Sequence, residues 1–190
     1  MRVTGGQWAN RAIAVPPGLG VRPTPDKVRQ AIFNSLGEWI ADRTVLELFA
    51  GSGALSLECL SRGAASAVCV EKSAKHAGYI RRNACDLNTQ MDVRVQDAMM
   101  AVKQLATSSR RFGFIVADPP YGRKTLPGKR SESWAQRLLD EPALPKILAT
   151  EGRLLVGHTK RDAVELTPPW EEHKTLKHGD TLIEILRLPK

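Results

Sequence analysis

From Val45 onward the chain alternates short apolar runs with stretches of helical periodicity, and this alternation constrains its fold more than any other feature. Val45–Phe49, Ala67–Val70, Val93–Val95, Phe112–Ala117 and Arg153–Gly157 read as strands. Between them lie a helix at Ala54–Arg62 stopped by Gly63, and one capped by Ser73 running to about Cys85. Further helical segments fall at Ala98–Ala106, Trp134–Leu139 and Ala143–Ala149. Repeated β-α units require a parallel sheet with helices on both faces. The tail breaks the pattern. Glu172–Lys177 and Thr181–Leu188 flank His178-Gly179-Asp180, the signature of an antiparallel hairpin. The expected fold is α/β and Rossmann-like, with a mostly parallel sheet ending in a reversed hairpin.

Ahead of this core, Val3–Trp8 and Arg11–Val15 read as two short strands, followed by Pro16-Pro17-Gly18-Leu19-Gly20. Thr24 is the expected N-cap of a helix, with Pro25 at its first position and Asp26 complementing its dipole. Val28, Ile32, Leu36 and Trp39 continue its apolar face. Residues 1–24 are therefore set apart as an N-terminal β-hairpin extension, and 25–190 as the main domain.

The net charge of +8 is concentrated. Arg2, Arg11, Arg22, Lys27 and Arg29 face only Asp26 in residues 1–30, and Arg123, Lys124, Lys129, Arg130 and Arg137 face only Glu132 in residues 123–137. The rest of the chain balances. Such patches suit a polyanion, because each neutralised phosphate releases counterions; two solubilising loops are the alternative. No stretch approaches the roughly 20 apolar residues that span a bilayer. The N-terminus lacks a secretory apolar core. Cys59, Cys69 and Cys85 are scattered without C-x-x-C spacing, so buried thiols in a reducing cytoplasm are expected rather than disulfides or zinc. His76, His158, His173 and His178 show no ligand spacing, and no metal is expected. Trp8, Trp39, Trp134 and Trp170 read as core or interface aromatics, with Trp134 close in sequence to the basic loop.

Two segments carry chemistry. Glu47-Leu48-Phe49-Ala50-Gly51-Ser52-Gly53 leaves a strand and enters a helix, where glycines permit close backbone approach and a helix N-terminus offers N–H groups to an anionic ligand. Glu71 follows 18 residues after Gly53, ending the next strand, where a carboxylate suits a ribose diol. Ser56 stands where a third glycine would be, so the dinucleotide fingerprint G-x-G-x-x-G fails and a nicotinamide enzyme is disfavoured. Asp97, past the third strand, suits an adenine amino group or a helix cap.

The second segment is Asp118-Pro119-Pro120-Tyr121, after the apolar run Phe112–Ala117. An exocyclic base amine is a poor nucleophile because its lone pair is delocalised into the ring. The Asp118 carboxylate and the Pro119 carbonyl are two acceptors for its N–H groups, the prolines stiffen that carbonyl's direction, and Tyr121 can stack on the base. The reading requires the glycine turn and this tetrapeptide to meet at one rim of the sheet.

Taken in order, Arg22-Pro23-Thr24-Pro25-Asp26, Phe33-Asn34, Phe49 to Leu55, Leu60-Ser61-Arg62-Gly63 and Asp118 to Tyr121 resemble the RsmD family of bacterial 16S rRNA guanine-N2 methyltransferases. The resemblance implies a seven-stranded class I methyltransferase fold, S-adenosylmethionine as methyl donor and guanine N2 of small-subunit rRNA as target. It places the cofactor's amino-acid part at Gly51, Ser52 and Gly53, with Glu47 and Phe49 in the same motif. Its ribose falls at Glu71, its adenine at Asp97, and the target base at Asp118, Pro119, Pro120 and Tyr121. Arg2, Arg11, Arg22, Lys27, Arg29, Arg123, Lys124, Lys129 and Arg130 become candidate RNA contacts. The implied partner is 16S rRNA or a small-subunit assembly intermediate, with a monomeric, cytoplasmic enzyme. The family usually has glycine at Asn10. Another nucleic-acid amine (DNA adenine N6 or a different RNA) and a non-catalytic ribosome-assembly role remain the alternatives.

Overall fold

A computed structural model describes residues 1–17, 24–121 and 131–189. The chain divides into two compact units, Met1–Ala98 and Met99–Lys190.

The first unit contains α1 (Asp26–Leu36), β1 (Thr44–Leu48), α2 (Ala54–Ser61), β2 (Ser66–Glu71), α3 (Ala74–Asp86) and β3 (Asp92–Val95), and ends at the start of α4 (Ala98–Thr107). β2 lies between β1 and β3, parallel to both, with Leu46 beside Val68 and Cys69 beside Val93. Val45 to Leu48 and Ala67 to Glu71 are buried without interruption, as expected for strands covered on both faces. α3 starts where Ser73 Oγ accepts the His76 N–H (3.3 Å), and it buries Ala77, Ile80 and Ala84 at helical spacing.

Three local expectations change here. Thr24 does not cap α1. Pro25 takes the N-cap position without a side-chain bond, and Arg29 Nη1 donates to the Thr24 carbonyl (2.9 Å). The helix stops at Gly37, and Gly37–Ile40 tightens into a 3-10 turn before Trp39's face is complete. The two N-terminal strands reduce to one antiparallel bridge, Arg2 to Ala12, because Gly6–Trp8 form a 3-10 turn instead. Asn10 holds the left-handed conformation (φ 68), which Asn tolerates better than most residues.

What fixes this N-terminal segment is α2. The fully buried Glu58 carboxylate accepts the Thr4 N–H (2.8 Å), the Thr4 hydroxyl (2.7 Å) and Arg62 Nε (2.9 Å). Ser61 Oγ donates to the Gly5 carbonyl (2.6 Å) and accepts the Trp8 N–H (2.9 Å). Glu58→Ala strands the Arg62 guanidinium and the Thr4 N–H together. We expect a loss of about 2 kcal/mol, read as a lower urea midpoint with the N-terminal amides exchanging first. An unchanged midpoint would show that Glu58 does not tie the segment down.

The second unit carries β4 (Phe112–Ala117), α5 (Trp134–Leu139), β5 (Leu148–Thr159), β6 (Glu171–His178) and β7 (Thr181–Arg187). β4 runs parallel to β5, and β7 lies antiparallel between β5 and β6. Among seven strands, those of the first unit lie in the order β3-β2-β1 and those of the second in the order β4-β5-β7-β6. All six residues of β4 are buried. β6 is an exposed edge whose Glu171, Glu172, His173 and Lys174 discourage pairing with another chain. The helix expected at Ala143–Ala149 is only a 3-10 turn, Pro145–Ile147, after which β5 begins at Leu148, five residues early.

Candidate functional site

The glycine turn is built by buried groups beneath it. Between β1 and α2 the backbone reverses through three left-handed residues: Phe49 (φ 58), Gly51 (φ 55) and Gly53 (φ 73). Gly53 N–H donates to the Ala50 carbonyl at 2.7 Å. A side chain at Gly53 would meet Ile80 Cγ2 of α3 at 2.8 Å, so both φ and packing demand glycine there. Phe49 has no such excuse. A bulky residue in the left-handed region costs on the order of 1–2 kcal/mol, and strain of this kind concentrates at ligand-binding turns.

Glu47 is buried (3% exposed), and its carboxylate accepts the Ser56 N–H at 2.8 Å. Burial pushes its pKa up to about 7, against the opposing hydrogen bonds from Ser56, the Leu55 N–H and Cys69. This changes one expectation: the Leu55 and Ser56 N–H groups of the first turn of α2 point down to Glu47 rather than out to a ligand, and Glu47 shapes the turn from below. Ser52 is buried too, its carbonyl accepting Asn83 Nδ2 (3.0 Å).

Glu71 ends β2 with its carboxylate drawn toward the turn. Oε2 accepts the Gly51 N–H (2.8 Å), Oε1 accepts the Ser73 N–H (2.8 Å), and His76 Nδ1 lies 3.6 Å from Oε1. A carboxylate oxygen has two lone pairs, so Glu71 keeps acceptor capacity on both atoms. A ribose diol matches that chemistry. Asp97, after β3, has Lys72 Nζ at 3.4 Å.

In the second unit, Asp118 leaves the carboxyl end of β4 half-buried, followed by buried Pro119 and exposed Pro120. Tyr121 is 38% exposed, one of few large apolar side chains in water among the described residues. Gly157 of β5 lies directly under the Asp118 carboxylate: a Cβ there would stand 2.5 Å from Asp118 Oδ1. Sequence reading passed over Gly157. Its signal was an isolated glycine inside the apolar strand Leu154-Leu155-Val156-Gly157, which marks close approach by another group.

The basic candidates separate. Arg2, Arg11 and Lys27 are exposed, with Arg11 Nη2 donating to the Asp86 carbonyl at 3.0 Å. Arg29 is fully buried and spends its guanidinium on Asp26 (3.0 Å) and the Thr24 and Arg2 carbonyls. It braces α1 and is not available to RNA. Arg22, Arg123, Lys124, Lys129 and Arg130 lie outside the described residues. Arg137, counted only as charge, is exposed and stacks over half-buried Trp134 at 4.3 Å. Cys59 and Cys69 are buried as expected, whereas Cys85 is exposed. No described His, Cys, Asp or Glu cluster fits a metal ion, and no described helix is long and apolar enough to cross a membrane.

A family model described as "Conserved hypothetical protein 95" matches residues 1–187. Over 126 residues the chain is 39% identical to "Ribosomal RNA small subunit methyltransferase D" of Escherichia coli (strain K12), covering 66% of this chain and 63% of that protein. It therefore spans a little under two thirds of that relative's length. It is 35% identical over 128 residues to "Putative rRNA methyltransferase YlbH" of Bacillus subtilis (strain 168), covering 66% and 70%. A solved structure, "Putative methyltransferase yhhF from Escherichia coli", superposes with a TM-score of 0.78 at 31% identity, over 99% of this chain and 97% of its own. Together with the strand order, this gives the Rossmann-like class I methyltransferase fold with a C-terminal antiparallel hairpin.

Proposed function

We propose, for a chain that belongs to the family described as conserved hypothetical protein 95, the RsmD family, that it methylates the exocyclic N2 amine of a guanine in small-subunit (16S) ribosomal RNA, with S-adenosylmethionine as donor. The observation that carries this reading is Asp118, a half-buried carboxylate at the end of a fully buried strand, followed by a stiff Pro-Pro step and an exposed Tyr121. The names borne by the relatives, rRNA methyltransferases, favour ribosomal RNA over DNA.

When bound, S-adenosylmethionine supplies an electrophilic sulfonium methyl. The residues of the first unit fit its chemistry: Glu71 for the ribose hydroxyls, Asp97 for the adenine amine, and the strained Phe49–Gly53 turn for the amino-acid end. At the other segment, Asp118 and the Pro119 carbonyl accept the two N–H groups of the guanine amine. These bonds favour a pyramidal nitrogen whose lone pair is released from the ring; as that nitrogen takes the methyl group, the C–S electron pair departs with S-adenosylhomocysteine and one of the two N–H protons passes to Asp118 or to water. Tyr121 stacks on the extruded base, worth roughly 1–3 kcal/mol. Extrusion costs a few kcal/mol and is cheapest for an unpaired loop nucleotide. Exposed Arg2, Arg11 and Lys27, together with the basic segment Arg123 to Arg130, hold the RNA backbone. The partner is 16S rRNA or an assembling small subunit, and the enzyme acts as a monomer.

Mass spectrometry of 16S rRNA nucleosides from cells with and without the gene tests this. We expect N2-methylguanosine to fall by one residue per subunit in its absence and to return with the wild-type gene. Loss of N6-methyladenine from the same cells' DNA, or of a methylated amine from another RNA, would transfer the assignment to that target, and nucleosides unchanged in 16S rRNA, other RNA and DNA alike would favour a non-catalytic role.

A further inference from the structure

We infer that Gly157 is a positioning residue for methyl transfer: it leaves room beside Asp118 for the carboxylate to take the position in which it receives the amine. The inference rests on the reading of Asp118 given above. β4 and β5 are parallel with Ala117 beside Val156, so one step further Asp118 stands beside residue 157. Side chains at matched positions of parallel neighbours project from the same face, about 4.8 Å apart. Here one of the two is missing, and the other has taken its space. A Cβ built on Gly157 would be 2.5 Å from Asp118 Oδ1 and 3.2 Å from its Cγ.

Among the described residues, neither backbone conformation nor the neighbouring strand calls for glycine at this position. Gly157 is not among the residues at positive φ, so its backbone suits any residue. It pairs with Ile183 of β7 in a regular antiparallel register, and Ile183 Cδ1 would stand 3.4 Å from the new Cβ, an ordinary contact. Glycine inside a strand weakens it, and a β-branched residue would strengthen it. The chain thus accepts a weaker strand at the residue flanking its reactive carboxylate. The group that must yield to a Cβ is the end of a short side chain, not backbone, so the fold adapts easily while the carboxylate moves. Misplacement by about 1 Å costs catalysis on the order of 10²-fold.

The test uses the full chain, tritiated S-adenosylmethionine and small subunits purified from cells lacking the gene, with activity expressed per S-adenosylhomocysteine-binding molecule. For Gly157→Ala we expect kcat to fall on the order of 10²-fold, with KM for both substrates, S-adenosylhomocysteine affinity and Tm hardly changed or Tm slightly raised. Gly157→Ser, which introduces the same Cβ, should reproduce the loss. In an Asp118→Asn background, Gly157→Ala should change kcat little, because the group it displaces has already lost its charge. Wild-type kcat in both Gly157 variants, or an undiminished loss in the Asp118→Asn background, would overturn the inference while leaving the role of Asp118 intact. Full activity of Asp118→Asn by itself would remove the reading of Asp118 and this inference with it.

Discussion

Replacing Asp118 by Asn is expected to lower kcat for methyl transfer by about 10³-fold, close to 4 kcal/mol of transition-state stabilisation. Asparagine keeps the shape and one acceptor oxygen, so a role in packing alone predicts almost no change. As the amine attacks, its nitrogen acquires positive charge and its N–H groups become stronger donors. A carboxylate gains from that change far more than a neutral amide does. The effect should therefore fall on the chemical step, with binding of S-adenosylhomocysteine and of small subunits nearly untouched. Single-turnover methylation with enzyme in excess reads that step directly. A rate within ten-fold of wild type would show that charge at residue 118 does not stabilise the reacting amine, and the Pro119 carbonyl would then be the principal acceptor.

The outcome at Asp118 depends on a segment that was plain in the sequence, because its strand was. Phe112–Ala117 is apolar throughout and bounded by polar residues, and β4 occupies those positions. Ser73 marked the start of α3 for a local reason too, since a cap is a bond between near neighbours. What escaped depends on distant chain. β5 begins five residues early because its first pair, Phe112 with Leu148, is followed by a register shift to Phe114 with Arg153. That slack is taken up at Glu151 (φ 59) and Gly152, a pair that reads locally as a turn. Arg29 looked like part of a charged surface, yet it is buried by the carbonyls of Thr24 and Arg2, the latter 27 residues away. Gly157 acquires its meaning only when Asp118 is placed beside it. Periodicity identified the elements, while contacts between them decided which side chains face a ligand.

Glu47 should make this protein less stable as pH rises from about 4.5 to about 7, the reverse of what ion-paired carboxylates do. Its pKa is raised in the folded chain to about 7 from 4.5 because burial penalises its charge more than its hydrogen bonds favour it. The native state therefore binds the proton more tightly than the unfolded chain. The associated stability is complete below pH 4.5 and lost as pH rises through 7, amounting to about 3 kcal/mol at 1.36 kcal/mol per unit. His158 acts in the same direction at higher pH. Burial alone lowers its pKa, but the hydrogen bonds to Glu184 and the Thr159 carbonyl and the nearby Glu184 and Asp162 charges outweigh this and raise it. Glu47→Gln is neutral at every pH and retains an acceptor for the Ser56 N–H, while its new amide hydrogens have the Ser56 hydroxyl to donate to. At pH 8 the variant should be up to about 3 kcal/mol more stable than wild type, a rise in Tm on the order of 10 °C for a chain of this size. At pH 4.5 the two proteins should coincide, and the slope that survives above pH 6.5 should be that of His158. Calorimetric scans between pH 4.5 and 8 decide the matter. If Glu47→Gln is less stable than wild type at pH 8, the carboxylate is charged and well satisfied in the folded protein, and the glycine turn stands on an ionised rather than a protonated Glu47.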